Sequence, residues 1–213
     1  MKVELTMPDE NTETRNIFKL IIRALVRARI PILTVAIFYV ISVGAGIVMV
    51  NSGNQFAISY RDSLVFQAQS GSILVALEGN DRLKAALLDF GGNLLGASAN
   101  TVAGLGVVFP YPIIVYRGWV GGIVSIDGSH ISRLGNPGEA AYYLITLILQ
   151  LIPYTLSAGA GVNLGLAFLK PKPWYLGKKW LGIPQEALLD VLRIYILVVP
   201  LFLLASLWEF FFR

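Results

Sequence analysis

The sequence predicts an all-α protein, a polytopic bundle of transmembrane helices with about five membrane passes and broken or re-entrant Gly/Pro-rich helices in its middle. Three observations carry this reading. Hydrophobic residues make up 55% of the 213-residue chain and charged residues 14%, where soluble domains have roughly 45–50% and about 25%. Two runs, 30–50 and 140–169, contain no charge at all, and each is long enough for a span of about 20 residues. Between them, glycine and proline interrupt the apolar stretch 85–127, which a straight helix does not tolerate.

The elements follow in order. Residues 1–12 are polar and acidic, as expected of a tail. Arg15, Lys19, Arg23 and Arg27 then recur every fourth residue, with Ile17, Phe18, Leu20, Ile21, Leu25 and Val26 between them. That spacing draws a basic stripe along one side of a helix. Residues 1–29 are therefore expected to be a cytoplasmic tail and an amphipathic helix lying in the membrane interface, its bases near anionic headgroups. The alternative is a helix packed on the protein's own cytoplasmic face. The charge of this segment also argues against a cleavable signal peptide.

Pro31 opens the first apolar run, and the bases before it place the N-terminus in the cytoplasm. Residues 30–213 read as one transmembrane domain. Within it, 51–84 is expected to form an outer segment of short amphipathic helices, broken near Ser70–Gly71. A span is expected over roughly 87–110, ended by Phe109-Pro110-Tyr111-Pro112, with a short or re-entrant helix from about 113 to 127. Residues 128–139 are a polar turn. The next run, 140–169, is long for one span and should tilt, bend or break, with Pro153 as the natural bend. Residues 170–187 mix lysines with Trp174, Tyr175 and Trp180, as at a cytoplasmic interface. The last span covers 187–212. With this topology, twelve of the seventeen Lys and Arg fall inside, in keeping with the positive-inside rule.

The composition excludes several chemistries. With no cysteine there is no disulfide, thiolate nucleophile or iron–sulfur ligand. With a single histidine, His130, a zinc site of several His or Cys ligands is excluded. No cofactor is implied, and Trp174, Tyr175, Trp180 and Trp208 read as interface anchors. The formal charge of +4 is what cytoplasmic bases produce, so nucleic acid is not an expected partner. The expected partners are membrane lipids and other integral membrane proteins or further copies of the chain. The lipid contacts fall to Arg15, Lys19, Arg23, Arg27, Trp174 and Trp180.

Two groups of residues are candidate sites. Gly92, Gly96, Asn100 and Gly104 are four apart and form a helix-packing face, with Asn100 placed to hydrogen-bond across it. Arg117, Gln150, Tyr154, Thr155, Ser157 and Asn163 form a candidate polar site inside the membrane. An arginine at depth needs a partner, and Asp89, Asp127 and the carbonyls near Pro110 and Pro112 are candidates. Arg117 at a cytoplasmic helix end is the simpler alternative. The others either line a cavity at the Pro153 bend or hold helices together. Asp190 and Arg193 are spaced to pair on one helix.

From residue 85 onward the order of features resembles the stage II sporulation protein M family of integral membrane proteins, over about two-thirds of the chain. Asn93 matches the asparagine at the start of that family's second span. Tyr116-Arg117-Gly118 with Gly121–Gly122 matches its Tyr-Asn-Gly and following glycine, with Arg117 in place of the Asn. Pro153-Tyr154-Thr155-Leu156-Ser157 stands where the family has Pro-His-Gly and a nearby Glu, and lacks the His, Gly and Glu. The resemblance implies an all-helical membrane protein without established enzymatic activity, whose namesake anchors a cell-wall-remodelling complex in sporulating bacteria.

No metal motif and no Ser–His pair lies in the spans, so an enzyme is not expected. A non-catalytic subunit or scaffold of a larger membrane complex is the preferred expectation. A small-solute transporter or channel component, using the polar residues near Arg117 and Pro153, is the alternative. Under the scaffold reading, leucine at Gly96 or Gly104 should disrupt the bundle. Apolar replacement of Tyr154, Thr155 and Ser157 should be mild.

Overall fold

A computed structural model describes residues 10–69 and 71–212, with side chains from Asn16 onward. Residues 1–9 of the expected tail (1–12) and the side chain of Arg15 lie outside the described residues, and 10–12 belong to the first helix. The fold is all-helical apart from a small two-stranded hairpin. Among the described residues, three helices are long and apolar enough to cross a membrane. They lie within α1 (Glu10–Asn51), α6 (Pro137–Leu169) and α7 (Gln185–Phe211). Two short helices, α2 (Gln55–Ala68) and α3 (Ser72–Glu78), follow α1, and α4 (Arg82–Ala103) and α5 (Pro110–Ile123) come next.

Helix α1 runs without interruption through Pro31. At 1.5 Å per residue its 42 residues reach about 63 Å, twice the hydrocarbon thickness. The expectation of a separate helix lying flat before Pro31 is corrected. Ile21, Ala24 and Ala28 are buried, so this segment packs on the bundle and continues the axis of the first span.

The contacts fix helix directions. Thr34, Ser42 and Asn51 of α1 bond in order to Tyr111, to the Val115 carbonyl and to Ser125, so α5 runs parallel to α1. Asp89 and Thr101 of α4 bond to Ser206 and Tyr195 of α7, so these two are antiparallel. Gln150 of α6 bonds to Glu209 of α7, and the Tyr154 ring meets Phe202, which makes them antiparallel as well. Helices α1, α5 and α7 thus run one way and α4 and α6 the other. One end of the bundle carries Asn51, the other Arg27.

The break after α4 comes earlier than expected. The helix ends at Ala103 and passes into a 3-10 turn, Gly104–Gly106. Val107 has a positive φ of 59°, a conformation that costs a β-branched residue. Both prolines then fall in the first turn of α5, where backbone N–H groups have no helical acceptor. They start this helix and do not end the preceding one. Helix α6 also begins earlier, at Pro137, with Asn136 accepting from Gly138 and Glu139 as its cap. It continues unbroken through Pro153.

Close backbone approaches set the packing. On α1, a Cβ at Gly46 would lie 2.5 Å from the Trp119 carbonyl oxygen, and on α5 one at Gly118 would lie 2.6 Å from that of Tyr39. Gly122 meets the Val43 carbonyl more closely still. This is a small-residue interface of the kind that lets two membrane helices touch. A second joins the end of α4 to α6, where Gly104 abuts Gly161, Gly161 abuts Thr101, and Gly165 abuts the Gly104 carbonyl.

Candidate functional site: a polar relay and a charge cluster

The residues expected to share one polar site do not meet at Pro153. Gln150 and Asn163 are thirteen positions apart on one helix, a separation of about 20 Å. Gln150 Nε2 donates to Glu209 at 3.0 Å. Thr155 and Ser157 donate to carbonyls of their own helix, those of Ile152 and Tyr154. Asn163 belongs to a cluster at the Arg27 end. Only Tyr154 joins Arg117.

That contact starts a chain of hydrogen bonds across four helices. Arg117, in the middle of α5, donates from Nη1 to Tyr154 Oη at 2.5 Å, and its guanidinium carbon stands 4.3 Å from the ring centroid. The Tyr154 hydroxyl donates to Asn93 Oδ1 at 2.5 Å. Asn93 Nδ2 donates to Asp89 Oδ2 at 2.9 Å, and Ser206 Oγ donates to the same oxygen at 2.7 Å. From Arg117 to Asp89 every donor faces the carboxylate. The bond dipoles align between a cation and an anion that do not touch, an arrangement that strengthens each bond. Tyr154 is 2% exposed, and Phe202 packs edge-on against its ring at 4.8 Å. Asp89 was a sequence candidate as the partner of Arg117, and the connection runs through two neutral side chains. Asp127 serves elsewhere, accepting from Ser129 and Ile131.

The glycine stripe is corrected by the same geometry. Gly92 has open space where a Cβ would stand, whereas one at Gly96 would collide with Arg117 Nη2. Gly96 is the slot that admits the guanidinium. Asn100 is 1% exposed, and neither of its side-chain polar atoms has a partner among the described residues. Gly104 alone meets another helix's backbone. The stripe is not one packing face. The glycines that pack α1 on α5 are Gly46, Gly118 and Gly122, and their i,i+4 spacing (Ser42–Gly46, Gly118–Gly122) is the signal that could have found them.

At the Arg27 end sits a charge cluster. Arg27 Nη1 lies 2.9 Å from Glu186 and 3.2 Å from Asp190, and Arg193 Nη1 lies 2.7 and 2.8 Å from the same two carboxylates. Asp190, 1% exposed, also accepts from Tyr175 at 2.9 Å, whose hydroxyl accepts from Asn163 at 2.8 Å. Arg27 is thus corrected from a lipid contact to a tie between α1 and α7. The Asp190–Arg193 pair is part of this larger set. Lys19 and Arg23 are exposed, as are Trp174 and Trp180 on the connection after α6. This connection holds a 3-10 turn at Pro173–Tyr175 and paired strands β1 (Lys179–Trp180) and β2 (Ile183–Pro184).

At the opposite end, α2 docks through Phe56 and Tyr60 on Trp119 of α5. His130 Nε2 stands 2.9 Å from Asp62, which also pairs with Arg61 at 2.9 Å. Arg61, with His130 beside it, holds the Asp62 carboxyl below the usual carboxylate range. Among the described residues no His, Asp or Glu group is arranged to hold a metal. Comparison of the chain with protein-family models, curated proteins and solved structures gave no match.

Proposed function

We propose that the chain is a non-catalytic integral membrane subunit, a scaffold within a larger membrane protein complex. In this reading it makes five passes, with α4 and α5 as a hairpin between the three long helices. The bases of α1 and of the 170–184 connection gather at the Arg27 end, which supports a cytoplasmic N-terminus in a prokaryotic inner or cytoplasmic membrane. Helices α2 and α3 then lie on the outer face. The single observation that carries the proposal is the use made of the polar groups at depth. Arg117, Tyr154, Asn93, Asp89 and Ser206 bond to one another, three of the four bonds crossing between helices and the Asn93–Asp89 bond lying within α4, so their chemistry supports the bundle's own architecture. The resemblance to the sporulation-protein family points the same way. The exposed apolar side chains of α1, such as Leu33, Ile37 and Ile41, suit lipid or partner helices.

The transporter reading keeps one supporting observation, the uniform donor direction from Arg117 to Asp89, which a proton or small solute could use. Purification of the full chain from its native membrane in mild detergent separates the two. The scaffold proposal expects an integral membrane partner, or further copies of the chain, at constant stoichiometry. It expects no solute flux from the chain alone in liposomes. Flux that Tyr154→Phe abolishes, in a protein that still folds, would overturn it.

A further inference from the structure

A cleft of about 400 Å³ opens between α1 and the connection after α6, lined by Val26, Arg27, Arg29, Ile30, Lys172 and Trp174. Its three bases are not equivalent. Arg27 is neutralised by Glu186 and Asp190. Arg29 forms no ion pair among the described residues, and Lys172 Nζ faces only the Trp174 ring, 5.3 Å from its centroid. Two positive charges therefore border the cleft with no carboxylate lining it. On the α1 side, Val26 and Ile30 are exposed and lead along the helix to exposed Leu33 and Ile37. The cleft thus joins a cationic mouth to an apolar track, at the level where the charge-free run 30–50 begins.

We propose that this cleft seats the phosphate of an anionic membrane lipid. Arg29 and Lys172 supply the charged contacts, since guanidinium and ammonium groups are the usual donors to phosphate oxygens. Trp174 lies at the headgroup level, where its ring is both wetted and greasy, and Val26 and Ile30 receive the first methylenes of the acyl chain. A freely dissolved phosphate would use the same two bases but gains nothing from the apolar track, which favours a lipid. Basic pockets beside membrane helices are a recurring headgroup site on the cytoplasmic side. The assignment rests on the membrane placement alone and is independent of any complex the chain joins.

The test uses the full chain in mixed micelles, with lipid retention read by native mass spectrometry. Phosphatidylglycerol should be retained in preference to phosphatidylcholine. Arg29→Gln and Lys172→Gln should each lower that retention about fivefold, and the double variant about 25-fold. Lys19→Gln with Arg23→Gln removes two exposed bases about 15 and 9 Å further along α1 from Arg29, where screening weakens their pull on a headgroup, and should lower it less than either cleft variant. Because Arg29 and Lys172 are exposed, both single variants should keep the wild-type Tm in neutral lipid. Inorganic phosphate, the free-anion probe, should neither raise Tm nor displace the lipid. Equal retention by the double variant, an equal loss in the Lys19/Arg23 control, or stabilisation by inorganic phosphate matching that by phosphatidylglycerol would each overturn the proposal.

Discussion

Two sets of charges hold this bundle, and they are built differently. At the Arg27 end, two arginines and two carboxylates meet directly, each arginine touching both acids. In the middle, Arg117 and Asp89 stand apart, and Tyr154 and Asn93 carry the contact between them. The first set lies at one end of the bundle, where Glu186 is partly exposed to solvent and long side chains have room to converge. The second lies between helices held by glycine contacts, where side-chain length decides who meets whom. Arg117 fits at all because Gly96 leaves space for its guanidinium. In the direct set each charge keeps a second partner, and the costliest loss is Asp190, which is buried and serves both arginines and Tyr175. A relay through neutral groups has no such reserve, and each member is a single point of failure.

The backbone contacts beneath both sets should give the largest effect when broken. Leucine at Gly104 must displace the Gly161 backbone, so Gly104→Leu should cost at least about 4 kcal/mol of unfolding free energy in micelles. Gly92→Leu, one end of the same stripe but facing open space, should stay within about 0.5 kcal/mol. Equal costs would restore the single packing face that the spacing suggested. Next in size is the edge cluster. Asp190→Asn leaves two arginines sharing Glu186 and should cost about 3 kcal/mol, read in the same unfolding assay. An unchanged protein would mean that water, and not Asp190, neutralises those arginines.

The sequence made α1 and α6 legible because a charge-free run of that length has few alternatives in a folded chain. The pairings were hidden for a definite reason. Arg27 read as one of four lipid-facing bases because its partners are 159 and 163 positions away, and their register on α7 follows from packing. Spacing by four showed that Gly96 and Gly104 share a side of α4, but not that one faces an arginine and the other a glycine. Tyr154 was grouped with Thr155 and Ser157 as neighbours in sequence. In the fold the latter two bond to their own helix, while Tyr154 bridges two others. The geometry therefore predicts that apolar replacement is mild at Thr155 and Ser157 and costly at Tyr154, whose hydroxyl links Arg117 to Asn93.

The central claim is that Arg117 and Asp89 are counter-charges joined through that hydroxyl, and a double-mutant cycle on the two tests it most directly. Arg117→Met strands the carboxylate and Asp89→Asn strands the guanidinium, so each single variant should lose about 2–3 kcal/mol. With both changes no charge is left at depth. The double variant should then be no less stable than either single one, a coupling of at least about 2 kcal/mol measured by unfolding in micelles. Costs that simply add, leaving the double variant destabilised by the sum of the two, would contradict the relay and leave Arg117 and Asp89 as independent residues.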